Sequence, residues 1–253
     1  MNTHPLLPKL KQLKLSGFLD TLDQRVEYAR EQSLAHAEFL ALLLDDEIER
    51  RHQHQLSRRI REAAIDPSKN LSRFDFAAAP QLSKSLVADL ALCQFVPRAE
   101  NILFCGPTGT GKSHLAQALA LEAIKHGHRA YCQPLHNLLA SLHARRADGS
   151  FIRWKTRLIN VDLLVLDDFG LVPLSAQAVE DLYEIIRERY ENKSIIMTSN
   201  RAPEEWAEVF SNPLLASAAL DRLTHHAHIL TLTGSSYRQK QRKRKSPSSD
   251  KKK

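Results

Sequence analysis

From Leu6 to about Ala64, apolar residues recur at helical intervals: Leu10, Leu13, Phe18, Leu22 and Val26, then, past a break near Ser33, Phe39, Leu40, Leu43, Leu44 and Ile48. Steps of three to five residues put such side chains on one helix face, so the pattern predicts two helices. Ile65-Asp66-Pro67-Ser68-Lys69-Asn70 stops the second, and a polar link carrying Phe74 and Phe76 leads to a further element around Leu82 to Leu92. Beyond Pro97 the texture changes. Apolar runs at Asn101 to Cys105, Arg129 to Cys132, Leu163 to Asp167, Ser194 to Thr198 and His228 to Leu232 alternate with helical patterns at Lys112 to Lys125, Asn137 to Arg146, Ile152 to Leu158, Ala176 to Tyr190 and Pro213 to Leu223. Strand and helix in alternation predict the α/β class with five strands in a largely parallel sheet. The organisation expected is a helical N-terminal domain over 1–70, an α/β domain over 71–237 and a basic tail over 238–253.

Composition adds exclusions. No apolar run approaches the roughly 18 to 20 residues of a membrane span, and the start MNTHPLLPKLKQLKLSG has no unbroken apolar stretch before a small-residue cleavage site. No membrane partner is therefore expected, and the cytoplasm is the expected compartment. Cys93, Cys105 and Cys132 form no C-x-x-C pair, which argues against a disulfide framework or a thiolate zinc site and for buried small apolar residues. The net charge of +7 suggests nucleic acid until it is divided along the chain. Residues 238–253 hold nine Lys/Arg against Asp250, leaving 27 basic and 28 acidic residues in the body. Any case for DNA must rest on local patches or on the tail, which should be disordered for lack of apolar residues to bury.

Three of the eight glycines, Gly106, Gly109 and Gly111, fall within six residues, directly after an apolar strand and before a helix. Gly106-Pro107-Thr108-Gly109-Thr110-Gly111-Lys112-Ser113 fits G-x-x-x-x-G-K-[ST], in which glycines let successive backbone N–H groups face inward and wrap a polyphosphate. His114 continues the loop into the helix. Lys112 would set its charge against the β- and γ-phosphates of ATP, and the Ser113 hydroxyl would ligate Mg²⁺. Leu163-Leu164-Val165-Leu166-Asp167-Asp168 supplies carboxylates at the end of a second strand, 54 residues beyond Ser113. Asp167 is the expected metal holder and Asp168 the expected general base. Ser194 to Thr198 runs into Ser199-Asn200, and because ligands of open α/β sheets bind beyond the carboxyl ends of the strands, Asn200 should orient water beside Asp168.

These motifs in this spacing resemble the AAA+ ATPases and, within them, IstB-like proteins, the ATP-binding transposition helpers of insertion sequences and relatives of the DnaC helicase loaders. The resemblance is carried by LKLSGFLDTL (Leu13 to Leu22), ENILFCGPTGTGKSHLAQAL (Glu100 to Leu119), VDLLVLDDFGLVPLS (Val161 to Ser175), TSNRAPEEW (Thr198 to Trp206) and ALDRLTHHAHIL…GSSYR (Ala219 to Arg238). It implies a P-loop AAA+ core with sheet order 5-1-4-3-2, a small all-α N-terminal domain that contacts transposase or DNA, and no C-terminal lid domain. It further implies ATP-driven assembly of a homo-oligomeric spiral or ring on duplex DNA, and stimulation of an integrase-type transposase. Arg222 stands where the family places its arginine finger, with Arg201 as the alternative. Arg145, Arg146, Arg153, Lys155 and Arg157, with Trp154, lie where initiator-type relatives line a DNA channel. Most AAA+ proteins end the second motif in Asp-Glu, whereas Asp167-Asp168 is one methylene shorter and suggests slow hydrolysis. Two alternatives stay open: a helicase loader, and a nucleotide-gated binding module with negligible turnover.

Other clusters are less telling. Arg50, Arg51, His52, His54, Arg58, Arg59 and Arg61 are compatible with either a solvated helix end or a phosphate-contacting surface. His225, His226 and His228 are expected to serve packing or the surface, since neighbours at a strand start point to opposite faces.

Overall fold

The computed structural model describes residues 5–234 and 236–237, so the tail expected to be disordered lies outside the described residues. The described residues form two compact units, divided between Arg59 and Ile60.

Among its described residues the first unit holds three helices where two were expected: α1 (Leu7–Gln12), α2 (Ser16–Glu31) and most of α3 (His36–Glu62). The extra break comes at Lys14, which takes a left-handed φ of 57°, and the second falls as expected, with Ser33 at φ 51°. Leu10, Phe18, Leu22 and Leu43 make the apolar core, while Leu40, Leu44 and Ile48 are exposed. At the α2–α3 crossing, Gly17 leaves no room for a side chain: an added Cβ would sit 2.6 Å from Glu47 Cα. Its N–H, unpaired within the first turn of α2, donates to the buried Glu47 carboxylate at 2.6 Å.

The second unit carries β1 (Asn101–Cys105), β2 (Ala130–Pro134), β3 (Leu163–Phe169), β4 (Ser194–Ser199) and β5 (Ala227–Thr231) in a parallel sheet of order β2-β3-β4-β1-β5. β1, β3 and β4 read as near-continuous apolar runs because both of their faces are covered. Leu103, Leu164, Leu166, Ile195 and Met197 face a cluster built with α6 (Leu135–Ala147), α7 (Phe151–Asn160), α8 (Ala176–Arg189) and α9 (Pro213–Thr224). Against the other face packs α5 (Lys112–Lys125), which also follows the P-loop; α4 (Lys84–Ala91) precedes β1 and packs on α5. At the amino edge of the sheet the fully buried Arg189 donates to the carbonyls of Leu158, Ile159, Val161, Asp162 and Ser194, and burial pulls its pKa down to about 9. Among the described residues, no helix is long and apolar enough to cross a membrane.

Candidate functional site

β1 and β4 lie side by side, although the chain leaves β1 toward β2 on the far edge, so a crevice opens beyond their carboxyl ends. The P-loop occupies it. Gly106 has φ 130°, and a Cβ there would fall 2.0 Å from the Leu232 carbonyl oxygen. Gly111, at φ 102°, would drive a Cβ to 2.7 Å from the Phe74 ring. Only glycine fits either position, which explains why two of the few glycines in the chain stand there.

Lys112 is buried, and its Nζ donates to the carbonyls of Gly106 at 2.6 Å and Pro107 at 2.7 Å, so its charge lies within the loop. Ser113 Oγ donates to Asp167 Oδ1 at 2.8 Å. Octahedral Mg²⁺ with bonds of 2.0–2.1 Å sets neighbouring ligand oxygens about 3 Å apart, so this hydroxyl–carboxylate pair fits the ion. Asp168 leaves the ladder: Leu166 pairs with Met197 and Phe169 with Ser199, so Asp167 and Asp168 together oppose Thr198. The bulge places Asp168 at φ 59°, a strained conformation for a non-glycine residue, and turns it into the crevice.

Thr198 was legible only as a strand residue. Its hydroxyl donates to Asp167 Oδ1 and accepts from the Asp168 N–H at 3.0 Å, so a single side chain locks both carboxylates to β4. Asn200, half-buried, lines the same cavity of about 460 Å³ together with Thr108, Gly109, Thr110, Gly111, Lys112, Ser113, His114, Asp167 and Asp168. The far wall comes from Lys69, Arg73, Phe74 and Ala78, which carried no motif, and from Tyr237 of the GSSYR segment. His114 anchors that wall, with Nε2 2.8 Å from the Asn70 carbonyl and its ring 5.6 Å from that of Phe74.

Arg222 is remote from this cavity. It donates to the Ala218 carbonyl at 2.8 Å and lies over Tyr183 and Tyr190. Arg201 is next to the cavity but tied to the Gly170 carbonyl at 3.0 Å and to Glu208. Most side chains of the basic cluster of α6 and α7 have partners on their own surface. Arg146 pairs with the buried Asp181, Lys155 with Glu184 at 2.7 Å, and Arg145 and Arg157 flank the Trp154 ring at 4.3 and 5.0 Å. Arg146, Arg153 and Arg157 are exposed, and Arg145 and Lys155 half-buried. The three cysteines are free and buried; burial pushes the thiols of Cys93 and Cys132 up to about 12 and that of Cys105 to about 11.

His225 and His226 precede the strand and do not alternate across it as expected. β5 begins only at Ala227, and His226 takes φ 54°, so the His225 and His226 rings lie side by side with centroids 3.9 Å apart. His228 is separate, 2.9 Å from Glu100.

The sequence matches the IstB-like ATP binding protein family over residues 8–246. The chain belongs to this family. A relative from Pseudomonas aeruginosa, named as an ATP-binding protein of insertion sequence IS21, is 36% identical over 94% of this chain and 89% of its own length. Another from Mycobacterium tuberculosis, named as an ATP-binding protein in an insertion sequence, is 40% identical over 92% of this chain and 93% of its own. Among solved structures, the DnaC helicase loader superposes with TM-score 0.52 at 23% identity, covering 59% of this chain and 87% of that one. The replication initiator DnaA bound to AMPPCP and single-stranded DNA gives TM-score 0.58 at 24% identity, over 68% of this chain and 52% of that one. The α/β sheet expected from the sequence, with its order and P-loop, is thus the AAA+ fold of this IstB-like chain.

Proposed function

We propose that this IstB-like protein is an ATPase that binds ATP·Mg²⁺ in the crevice beyond β1 and β4, assembles with further copies on duplex DNA, and acts as the helper of an integrase-type transposase. The observation that carries the reading is the convergence of the P-loop, the Ser113–Asp167 pair, Asp168 and Asn200 on one cavity. The loop amides and the N-terminus of α5 receive the phosphates, with Lys112 exchanging its loop carbonyls for phosphate oxygens. Ser113 and Asp167 would hold Mg²⁺, which when bound would supply charge neutralisation at the phosphates. Asp168 accepts the proton of the attacking water, and Asn200 orients that water. Phe74, Ala78 and Tyr237 form the base side of the cavity.

Arg222, remote from its own cavity, acts on the nucleotide of a neighbouring copy. DNA contact falls to Arg153 and the exposed face of α7, since the other four basic side chains of the group already have partners. The names of the curated relatives, which tie them to insertion sequences, support the transposition reading over a helicase loader.

Light scattering on duplex DNA, with and without ATP·Mg²⁺, tests the assembly. Large complexes are expected only with ATP·Mg²⁺ and should be absent in Lys112→Ala. A wild-type chain that stays monomeric on duplex DNA under all conditions would exclude DNA-templated assembly and favour the loader reading.

A further inference from the structure

At the amino edge of the sheet, opposite the nucleotide crevice, α8 and α9 end in the same way. Tyr190 (φ −54°, ψ 128°) caps α8 and is followed by Glu191 at φ 58°. His225 (φ −64°, ψ 126°) caps α9 and is followed by His226 at φ 54°. This left-handed position after a helix is usually filled by glycine, because a Cβ there costs of order 1 kcal/mol or more. In both turns it is filled instead by a residue with a metal-ligating side chain. The two turns face each other: the rings of Tyr190 and His225 are 5.7 Å apart, and those of His225 and His226 3.9 Å apart. One ligand atom from each of Glu191, His225 and His226 lies within 4.8 Å of the other two.

We propose that Glu191, His225 and His226 form a surface site for a divalent transition-metal ion of the Zn²⁺ class. Two imidazoles and a carboxylate suit Zn²⁺, which binds His nitrogen at about 2.0–2.1 Å and carboxylate oxygen at about 2.0–2.2 Å, and are a poor match for Mg²⁺. Tetrahedral bonds of that length set ligand atoms about 3.3 Å apart. All three side chains are exposed, so they can close that gap by rotamer changes without disturbing the core. Tyr190 Oη lies 2.8 Å from His225 Nδ1; ligation through Nε2 keeps that contact, and the hydroxyl orients the ring as outer partners of metal-bound histidines do. Three protein ligands leave the remaining positions to water. The ion would clip the end of α8 to the end of α9, the helix that carries Arg222. This site does not depend on the nucleotide reading, since none of its residues lines the crevice.

Isothermal titration of the full-length chain with Zn²⁺, in non-chelating buffer with millimolar Mg²⁺, tests it. One Zn²⁺ per chain is expected, weakened at least tenfold in His225→Ala and in His226→Ala and severalfold in Glu191→Gln. Circular dichroism checks that each variant keeps its fold; should a histidine variant lose it, Glu191→Gln carries the test. The chain has 12 histidines, so a second origin of binding has to be separated. The proposal fails if wild type takes up no Zn²⁺ in the presence of Mg²⁺. It also fails if the folded variants bind as tightly as wild type, which would put the ion elsewhere.

Discussion

Residues 1–59 hold a four-residue apolar core, Leu10, Phe18, Leu22 and Leu43, whereas in residues 60–253 one face of the sheet buries a continuous cluster running from Leu103 to Leu223. The small unit compensates with polar contacts. Arg25 meets Asp46 through two nitrogens at 2.6 and 2.8 Å, Thr21 adds a hydroxyl at 2.7 Å, and the Glu47 carboxylate binds the Gly17 N–H and Arg51. These contacts are directional and charge-assisted, so they fix the crossing of two helices that apolar area alone would leave loosely specified. The large unit shows the reverse: apolar layers set the fold, and of its buried charges Lys112 and Asp167 lie at the edge where the crevice opens, Arg189 at the opposite edge, and Asp181 on α8 beside Arg146. One unit is thus sensitive to polar detail throughout, the other chiefly to packing in its interior and to charge at a few buried positions.

The largest effect is expected in the packed unit. Trp206 is fully buried, with its ring 5.1 Å from that of Phe169. Trp206→Ala should cost about 3–5 kcal/mol of stability, read as a lower unfolding midpoint. A change under about 1 kcal/mol would show that the site collapses around the missing ring and that packing there is looser than the burial implies.

Next comes the helix crossing. Gly17→Ala puts a methyl against backbone atoms of α3, which cannot swing aside, and should cost about 1–3 kcal/mol by overpacking, measured by denaturant unfolding followed by helical circular dichroism. An unchanged midpoint would mean that α2 and α3 do not cross as closely as described.

The smallest effect separates the units by pH. Hydrogen bonding to Arg25 holds the Asp46 carboxyl below its usual value, so its contribution is present above about pH 4 and is lost as pH falls through the lowered native value. Glu47 is lowered too: burial opposes ionisation, but Arg51 and the Gly17 N–H outweigh it. The buried thiols act with the opposite sign. Between about pH 8.5 and their raised native values the unfolded chain ionises and the folded one does not, so stability of the large unit falls as pH rises. Asp46→Asn should therefore flatten the acid limb of a stability–pH profile, and replacement of the three cysteines by alanine the alkaline limb. Identical limbs in wild type and variants would remove this distinction.

Legibility in the sequence followed the same division. The five strands and the P-loop could be read because fully buried parallel strands are unbroken apolar runs and because three glycines in six residues have few other uses. The break at Lys14 was hidden, since apolar spacing continues across it from Leu10 through Leu13 to Phe18. Thr198 was invisible as a site residue: its role comes from the bulge at Asp168, and a bulge depends on how two distant strands pair. Phe74 and Arg73 reach the crevice from a link without periodicity, where only Phe74 and Phe76 in an otherwise polar stretch gave a signal. The ion pairs within the basic cluster were hidden for a similar reason. Arg146 and Lys155 owe their place to Asp181 and Glu184 on α8, partners 35 and 29 positions away that no local pattern reveals.

The central claim is that Asp167 holds the metal while Asp168, turned out by the bulge, serves as the base. Phosphate release from ATP·Mg²⁺ with duplex DNA present, compared between wild type and Asp168→Asn at matched ATP occupancy, tests it directly. General-base catalysis contributes roughly 10²–10⁴-fold, so release should fall by at least about a hundredfold in Asp168→Asn while ATP binding persists. Equal release from the two proteins, or none from wild type, would contradict the account.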